Sequence, residues 1–200
     1  QNKIPLILFF LLLLSSLFFY FKVDFLILKI LFVSLIMTFS FYALKSLNHR
    51  CRPVFNVTLW YWKFSLSALG LSMIIWLFNI FESNYILAIV FAFGFLYSLL
   101  QGMAYKIIPF LSWFHLNSKG YFKLPTIREF IEERYIKLHF FFHILSLVFF
   151  VAAYFVNSFI YMASFLFLVS NIIFFINILT AIRKYSKIAN TDPMDLSSFK

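Results

Sequence analysis

Six long apolar stretches dominate this sequence of 200 residues. A helix needs roughly 20 apolar residues to cross the hydrocarbon core of a bilayer, and each stretch is about that long. Transmembrane strands are a poor alternative, because the stretches are far too long for strands and do not alternate polar with apolar residues. Backbone groups in hydrocarbon must be paired within the protein, so we predict an all-α polytopic membrane protein with six transmembrane helices. The predicted spans are residues 4–21, 25–47, 60–80, 85–110, 135–156 and 159–182.

These spans are predicted to form a single domain, residues 1–188, followed by a polar tail over residues 189–200. The first stretch is predicted to be a spanning helix and not a signal peptide, because no small-residue cleavage site follows it. Very short connections join the first span to the second, the third to the fourth and the fifth to the sixth. Each of these pairs is therefore expected to form a helical hairpin.

Composition supports a membrane protein, with 64% hydrophobic and 12% charged residues, whereas a soluble domain has roughly 25% charged residues. The net charge of +10 is compatible with nucleic acid as a partner, but the basic residues lie beside apolar segments. That distribution is typical of contacts with lipid headgroups, so we predict a lipid bilayer, and no nucleic acid, as a partner. The single cysteine, Cys51, excludes a disulfide within the chain.

The basic residues also predict orientation. All of the lysines and arginines except Lys22 and Lys29 fall on one side of a six-span arrangement. Cytoplasmic loops are enriched in Lys and Arg, which places both termini in the cytoplasm. The predicted location is a membrane, most simply the cytoplasmic (inner) membrane of a bacterium.

The fourth span carries small residues at four-residue spacing, Gly94, Ser98 and Gly102. This spacing places them on one face of an α-helix. Small residues let a second helix approach closely in lipid, so we predict helix packing along this face.

Two connecting regions interrupt the apolar pattern. The aromatic run 60–62, followed by Lys63, is typical of anchoring at the headgroup level. Thr126 and Glu129 have the spacing of a capping box. No helix breaker follows before Asn157, so we expect one helix from Thr126 through the fifth span.

Histidines are the candidate ligands. His139 and His143 are four residues apart and share a helix face in the fifth span, and His115 follows the fourth span. Neutral imidazole is a good ligand for haem iron, copper or zinc. The alternative is that these histidines bond only backbone carbonyls or lipid phosphates. The absence of a glutamate between His139 and His143 excludes a zincin motif.

Lys106 is a cation near the end of the fourth span. It is expected either to extend to the cytoplasmic surface or to pair with an acidic group of a ligand, such as a haem propionate. Asn171 and Asn177 in the sixth span are expected to form interhelical hydrogen bonds.

The segment from Gly102 to His115, GMAYKIIPFLSWFH, together with His139 and His143, resembles bacterial haem-copper oxidase subunit I and NnrS-type haem and copper membrane proteins. The resemblance covers residues 102–143 only. It implies haem or copper as cofactor, His115, His139, His143 and Lys106 as cofactor-binding residues, and His139 and His143 as metal ligands. The twelve spans, the His-His pair and the His-x-His motif of those oxidases are absent from this sequence, so a divergent or accessory relative is implied.

Three functions remain open at this point. The first is an integral membrane subunit of a respiratory-type haem- or copper-binding system. The second is a cofactor-free accessory subunit that packs against other membrane proteins. The third is a small-solute permease, although no Gly- or Pro-broken pair of spans supports a transport site. No complete catalytic constellation is present in the sequence, so enzymatic activity is left undecided.

Overall fold

A computed structural model describes residues 26–49, 57–81, 84–121 and 124–190, together with residues 9, 10, 13 and 16. Five long helices account for most of these residues, and the described residues contain no strand. The helices are α1 (Leu26–Asn48), α2 (Thr58–Phe78), α3 (Tyr85–Ser118), α4 (Glu133–Ala152) and α5 (Phe159–Ala189). Each is long and apolar enough to cross a membrane.

The five helices correspond to the second to sixth predicted spans, which confirms an all-helical fold with membrane-like helices. The first predicted span lies almost entirely outside the described residues, as does most of the predicted polar tail. Large apolar side chains such as Phe165 and Phe175 are more than half exposed on α5. Such outward-facing apolar surface is expected of a helix surrounded by lipid.

The fourth span extends beyond its predicted end. Pro109 lies inside α3, yet the helix continues to Ser118, and Gly120 ends it with a φ of 82°. In this left-handed conformation, which glycine adopts without a steric penalty, the amide of Gly120 donates to the carbonyl of Asn117 at 3.1 Å. Residues Val90–Tyr97 form a π-helical segment within α3; such segments frequently lie at functional sites.

The helix expected to run unbroken from Thr126 into the fifth span is interrupted, so that prediction is wrong. The capping pair is present, with the backbone amide of Thr126 donating to Glu129 Oε2 at 3.0 Å. It closes only one 3₁₀ turn, Ile127–Glu129, and α4 begins at Glu133. Phe130 and Ile131 are buried between the two elements, so burial of these apolar side chains accompanies the break in the helix.

The described residues divide into two compact units. The first unit contains α1, α2 from Lys63 onward, and α3 as far as Leu96; Val33, Leu69 and Met73 form its buried cluster. The second unit contains the start of α2 through Trp62, α3 from Tyr97 onward, α4 and α5. Its larger cluster includes Val57, Tyr61, Tyr105, Leu116, Phe130, Ile131, Ile136 and Ala181.

Candidate functional site

The second unit contains a buried polar cluster around two imidazoles. His139 and His143 lie on successive turns of α4, and the exposed fraction of each side chain is 0%. Their ring centroids are 6.3 Å apart. Because residues four apart share a helix face, both rings point into the same part of the unit. The sequence predicted this pairing, and the structure adds its complete burial.

His139 is bonded from both sides of its ring. Its Nδ1 atom lies 2.6 Å from the hydroxyl of Tyr61 and 3.0 Å from that of Tyr105. Its Nε2 atom lies 3.3 Å from the amide nitrogen of Gln101. An amide nitrogen only donates, so in this orientation Nε2 accepts and the ring proton lies on Nδ1, facing the two phenols.

Further bonds fix the groups that surround His139. Asn177 on α5 donates from Nδ2 to the hydroxyl of Tyr105 at 2.9 Å and to the carbonyl of Tyr135 at 3.3 Å. This confirms the interhelical role predicted for Asn177. Buried polar networks become rigid when their members are paired, so Asn177 holds Tyr105 against the imidazole.

His143 is bonded to the same face of α3. The hydroxyl of Ser98 lies 2.7 Å from its Nε2 atom. Tyr97 packs beside the ring, with centroids 5.7 Å apart, and its hydroxyl donates to Asn171 on α5. Asn171 therefore also bonds between helices, as predicted.

Gln101 is the incompletely paired member of the cluster. Its side chain is 2% exposed, and its Oε1 atom has no hydrogen-bond partner among the described residues. A buried acceptor without a partner costs roughly 1–3 kcal/mol. The nitrogen of the same amide contacts the Nε2 atom of His139, so this oxygen belongs to a group that touches the imidazole.

Gly102 makes room for the phenol that bonds His139. A Cβ atom added at Gly102 would lie 2.7 Å from Trp62 Cδ1 and 2.8 Å from Tyr61 Cβ. No real Cβ atom fits at these distances without a shift of its neighbours. Gly94, Ser98 and Gly102 are all buried, and Ser98 acts through its hydroxyl as well as through its small size.

The other two candidate residues lie elsewhere in this unit. His115 is exposed and packs on Tyr185, with ring centroids 5.8 Å apart, and both line a cleft of about 360 Å³. Lys106 is exposed, and its Nζ atom lies 4.7 Å from the centroid of the Trp62 ring. Among the described residues, no three His, Cys, Asp or Glu side chains come together as a metal-binding group.

Tyr61 is the residue whose location in the structure differs most from the location predicted from the sequence. It belongs to the aromatic run 60–62, which was expected at the headgroup level, but its side chain is fully buried. Gln101 was also missed. A signal was present, because Ser98, Gln101 and Tyr105 follow each other at helical spacing on one face of an apolar span.

The donor set determines which cofactor these residues suit. Imidazole nitrogens lie roughly 2.0–2.1 Å from a bound metal ion, so two rings whose centroids are 6.3 Å apart can share one ion only if a nitrogen of each ring turns toward the other ring. Imidazole suits copper, zinc, iron and nickel, and nitrogen combined with oxygen donors suits Cu(II); Oε1 of Gln101, which has no partner among the described residues, offers one such oxygen. A haem would require the enclosing side chains to move apart, because both imidazoles are fully covered by protein.

Comparison with known proteins adds no relative. A scan against models of protein families finds no match, and searches of curated proteins and of solved structures find none either. The function of the chain is therefore inferred from its own residues.

Proposed function

We propose that this chain is an integral membrane subunit that binds a redox metal ion, copper in preference to haem, between His139 and His143. The observation that supports this most directly is a pair of fully buried imidazoles beside a buried amide whose oxygen has no partner among the described residues. Ionisable groups within membrane spans are expensive and usually functional. Packing alone would not require two imidazoles and three phenols in one membrane-embedded core.

In this proposal each residue has a defined part. His139 and His143 supply nitrogen ligands, and Gln101 and Ser98 supply nearby oxygens. Tyr61 and Tyr105 hold the Nδ1 side of His139, as outer hydrogen-bond partners of ligating histidines commonly do. A bound copper ion would supply one-electron chemistry, and the surrounding apolar side chains would exclude water from it.

Purified protein tests the proposal. After loading with Cu(II) and removal of excess metal, we expect about one copper per chain, and a large loss of copper in His139→Ala and in His143→Ala. His115→Ala is the matched control, because His115 is an exposed histidine of the same unit. The proposal is overturned if no copper is retained or if the control loses as much copper as the other two variants. A haem absorption band that is present in the wild-type protein and lost in His139→Ala would identify haem, and not copper, as the cofactor.

A second candidate, the cofactor-free accessory subunit, is favoured by a different observation. Both ring nitrogens of His139 and the Nε2 atom of His143 already have protein partners. If the chain binds no cofactor, the cluster serves only to fix the packing of α2, α3, α4 and α5. Retention of neither copper nor haem, together with loss of stability in His139→Ala, would favour this candidate.

The proposed setting is a respiratory-type system in a bacterial cytoplasmic membrane, where the chain has other membrane subunits as partners. In this proposal the chain crosses the membrane six times and both of its termini lie in the cytoplasm. The single cysteine offers a test of orientation. Cys51 should react with a membrane-impermeant maleimide only in inside-out vesicles. A Cys51→Ser, Ser83→Cys variant should react only in right-side-out cells, and the reverse pattern would contradict the proposed orientation.

A further inference from the structure

The first unit contains an apolar cleft that the proposed metal site does not use. Its volume is about 420 Å³, and it is lined by Phe32, Met73, Trp76, Leu87 and Phe91, with Asn84 as its polar residue. Small-molecule sites are typically clefts of roughly 300–1,000 Å³ with apolar walls and few polar groups. The cleft meets that description at the small end of the range.

A cation lies beside this cleft. The Nζ atom of Lys29 is 5.0 Å from the centroid of the Trp76 ring, and the side chain of Lys29 is half-buried. Phe32, three residues later on the same face of α1, packs edge-on against Trp76 with centroids 6.1 Å apart. Lys29 therefore lies next to two residues of the lining, within reach of a group bound there.

Lys29 lies near one end of a predicted span, in the first turn of an apolar helix that is long enough to cross a membrane. A lysine in a membrane span is unfavourable unless its ammonium is stabilised by an interface or a partner. The face of Trp76 supplies part of that stabilisation through a cation–π interaction, and an anion in the cleft would supply more.

We propose that this cleft binds a single-chain amphipathic carboxylate of the fatty-acid type. The carboxylate pairs with Lys29 and accepts a hydrogen bond from the amide of Asn84, while the chain lies against Phe32, Met73 and Phe91. Charge complementarity selects an anionic head, and the small volume selects one chain over the two of a phospholipid. None of these residues belongs to the histidine cluster, so this inference is independent of the metal proposal.

Tryptophan fluorescence tests the proposal, because Trp76 lines the cleft. The full chain in nanodiscs of phosphatidylcholine is titrated with a brominated fatty acid, and we expect saturable quenching that is lost in Trp76→Phe. Lys29→Met should weaken the apparent affinity by roughly tenfold, the factor for one charge-assisted hydrogen bond, whereas Lys29→Arg should retain it. Lys106→Met is the matched control, because Lys106 forms a similar pair with Trp62 outside the cleft.

Three results would overturn the proposal. The first is equal affinity for the brominated methyl ester, which lacks the charge. The second is equal saturable quenching by brominated phosphatidylcholine, which would identify surrounding lipid as the occupant. The third is unchanged affinity in Lys29→Met. If Lys29→Met does not fold, Ala88→Phe provides a second variant: Ala88 lines the cleft, so a larger side chain there should reduce binding while Lys29 is retained.

Discussion

The two units bury polar side chains in different ways. In the first unit, Ser72 is buried and its hydroxyl donates to Leu69 of its own helix at 2.7 Å. In the second unit, Tyr61, His139 and Asn177 bond to side chains of other helices. A bond within one helix places no constraint on its neighbours, whereas a bond between helices fixes their register. Among the described residues, the bond of Ser72 therefore stabilises only its own helix, whereas the bonds of Tyr61, His139 and Asn177 hold different helices together.

The largest expected effect comes from removing the centre of the interhelical network. His139→Phe leaves the hydroxyls of Tyr61 and Tyr105 and the amide of Gln101 with one partner fewer, and each buried group that is left unsatisfied costs roughly 1–3 kcal/mol. We expect a loss of about 2–4 kcal/mol in the free energy of unfolding, measured by denaturation in detergent without added metal. His115→Phe, at an exposed position, should change it by less than about 0.5 kcal/mol. Equal losses in the two variants would show that the network is not what stabilises the unit.

A glycine from each unit gives the next comparison. In Gly102→Ala the new Cβ would meet Trp62 and Tyr61 at less than 3 Å, whereas at Gly70 the nearest atom is the flexible Met37 Sδ at 3.4 Å. Overpacking a tight site costs roughly 1–3 kcal/mol, so we expect that loss for Gly102→Ala. Gly70→Ala should be neutral or stabilising, because alanine favours the helix. Thermal unfolding of both variants measures the difference in stability between them. An unchanged stability in Gly102→Ala would mean that the side chains of Tyr61 and Trp62 can shift to accommodate the new methyl group.

Asn177 tests a single interhelical bond. Asn177→Leu removes the bonds to the Tyr105 hydroxyl and the Tyr135 carbonyl, and such bonds in membranes are worth roughly 0.6–2 kcal/mol. Thr180→Val on the same helix removes only the bond that the Thr180 hydroxyl donates to the carbonyl of Ile176 within that helix, and it should have little effect. Denaturation in detergent distinguishes the two. A loss of stability in Thr180→Val as large as that in Asn177→Leu would contradict the expectation that bonds between helices stabilise the unit more than bonds within one helix.

The smallest effect is expected at the surface. Lys184 donates to the carbonyl of Glu129 at 2.5 Å, which ties α5 to the 3₁₀ turn. Lys184→Met should lower the free energy of unfolding by at most about 1 kcal/mol, since an exposed bond competes with water. Lys187→Met serves as the control at an exposed position on the same helix. A loss well above that limit would mean that this turn contributes more to the second unit than its exposure suggests.

The positions of the helices could be predicted well from the sequence, and the candidate site only in part. Five predicted spans correspond to helices because length and apolarity are properties of each segment alone. The helical spacing of His139 and His143 likewise predicted that they share a face. Their partners could not be predicted in the same way, because Tyr61 is 78 residues from His139 along the chain and no local pattern relates the two.

The all-helical fold with membrane-like helices, and the capping pair of Thr126 and Glu129, can be predicted from the order of residues alone. These features depend on hydrophobicity and on bonds between near neighbours. Three other features become visible only in the folded chain: Tyr61 is buried while its neighbour Trp60 is exposed, His115 is separate from the other two histidines, and a break precedes α4. Such outcomes depend on which helix faces meet, and apolar residues all around a helix leave that choice open.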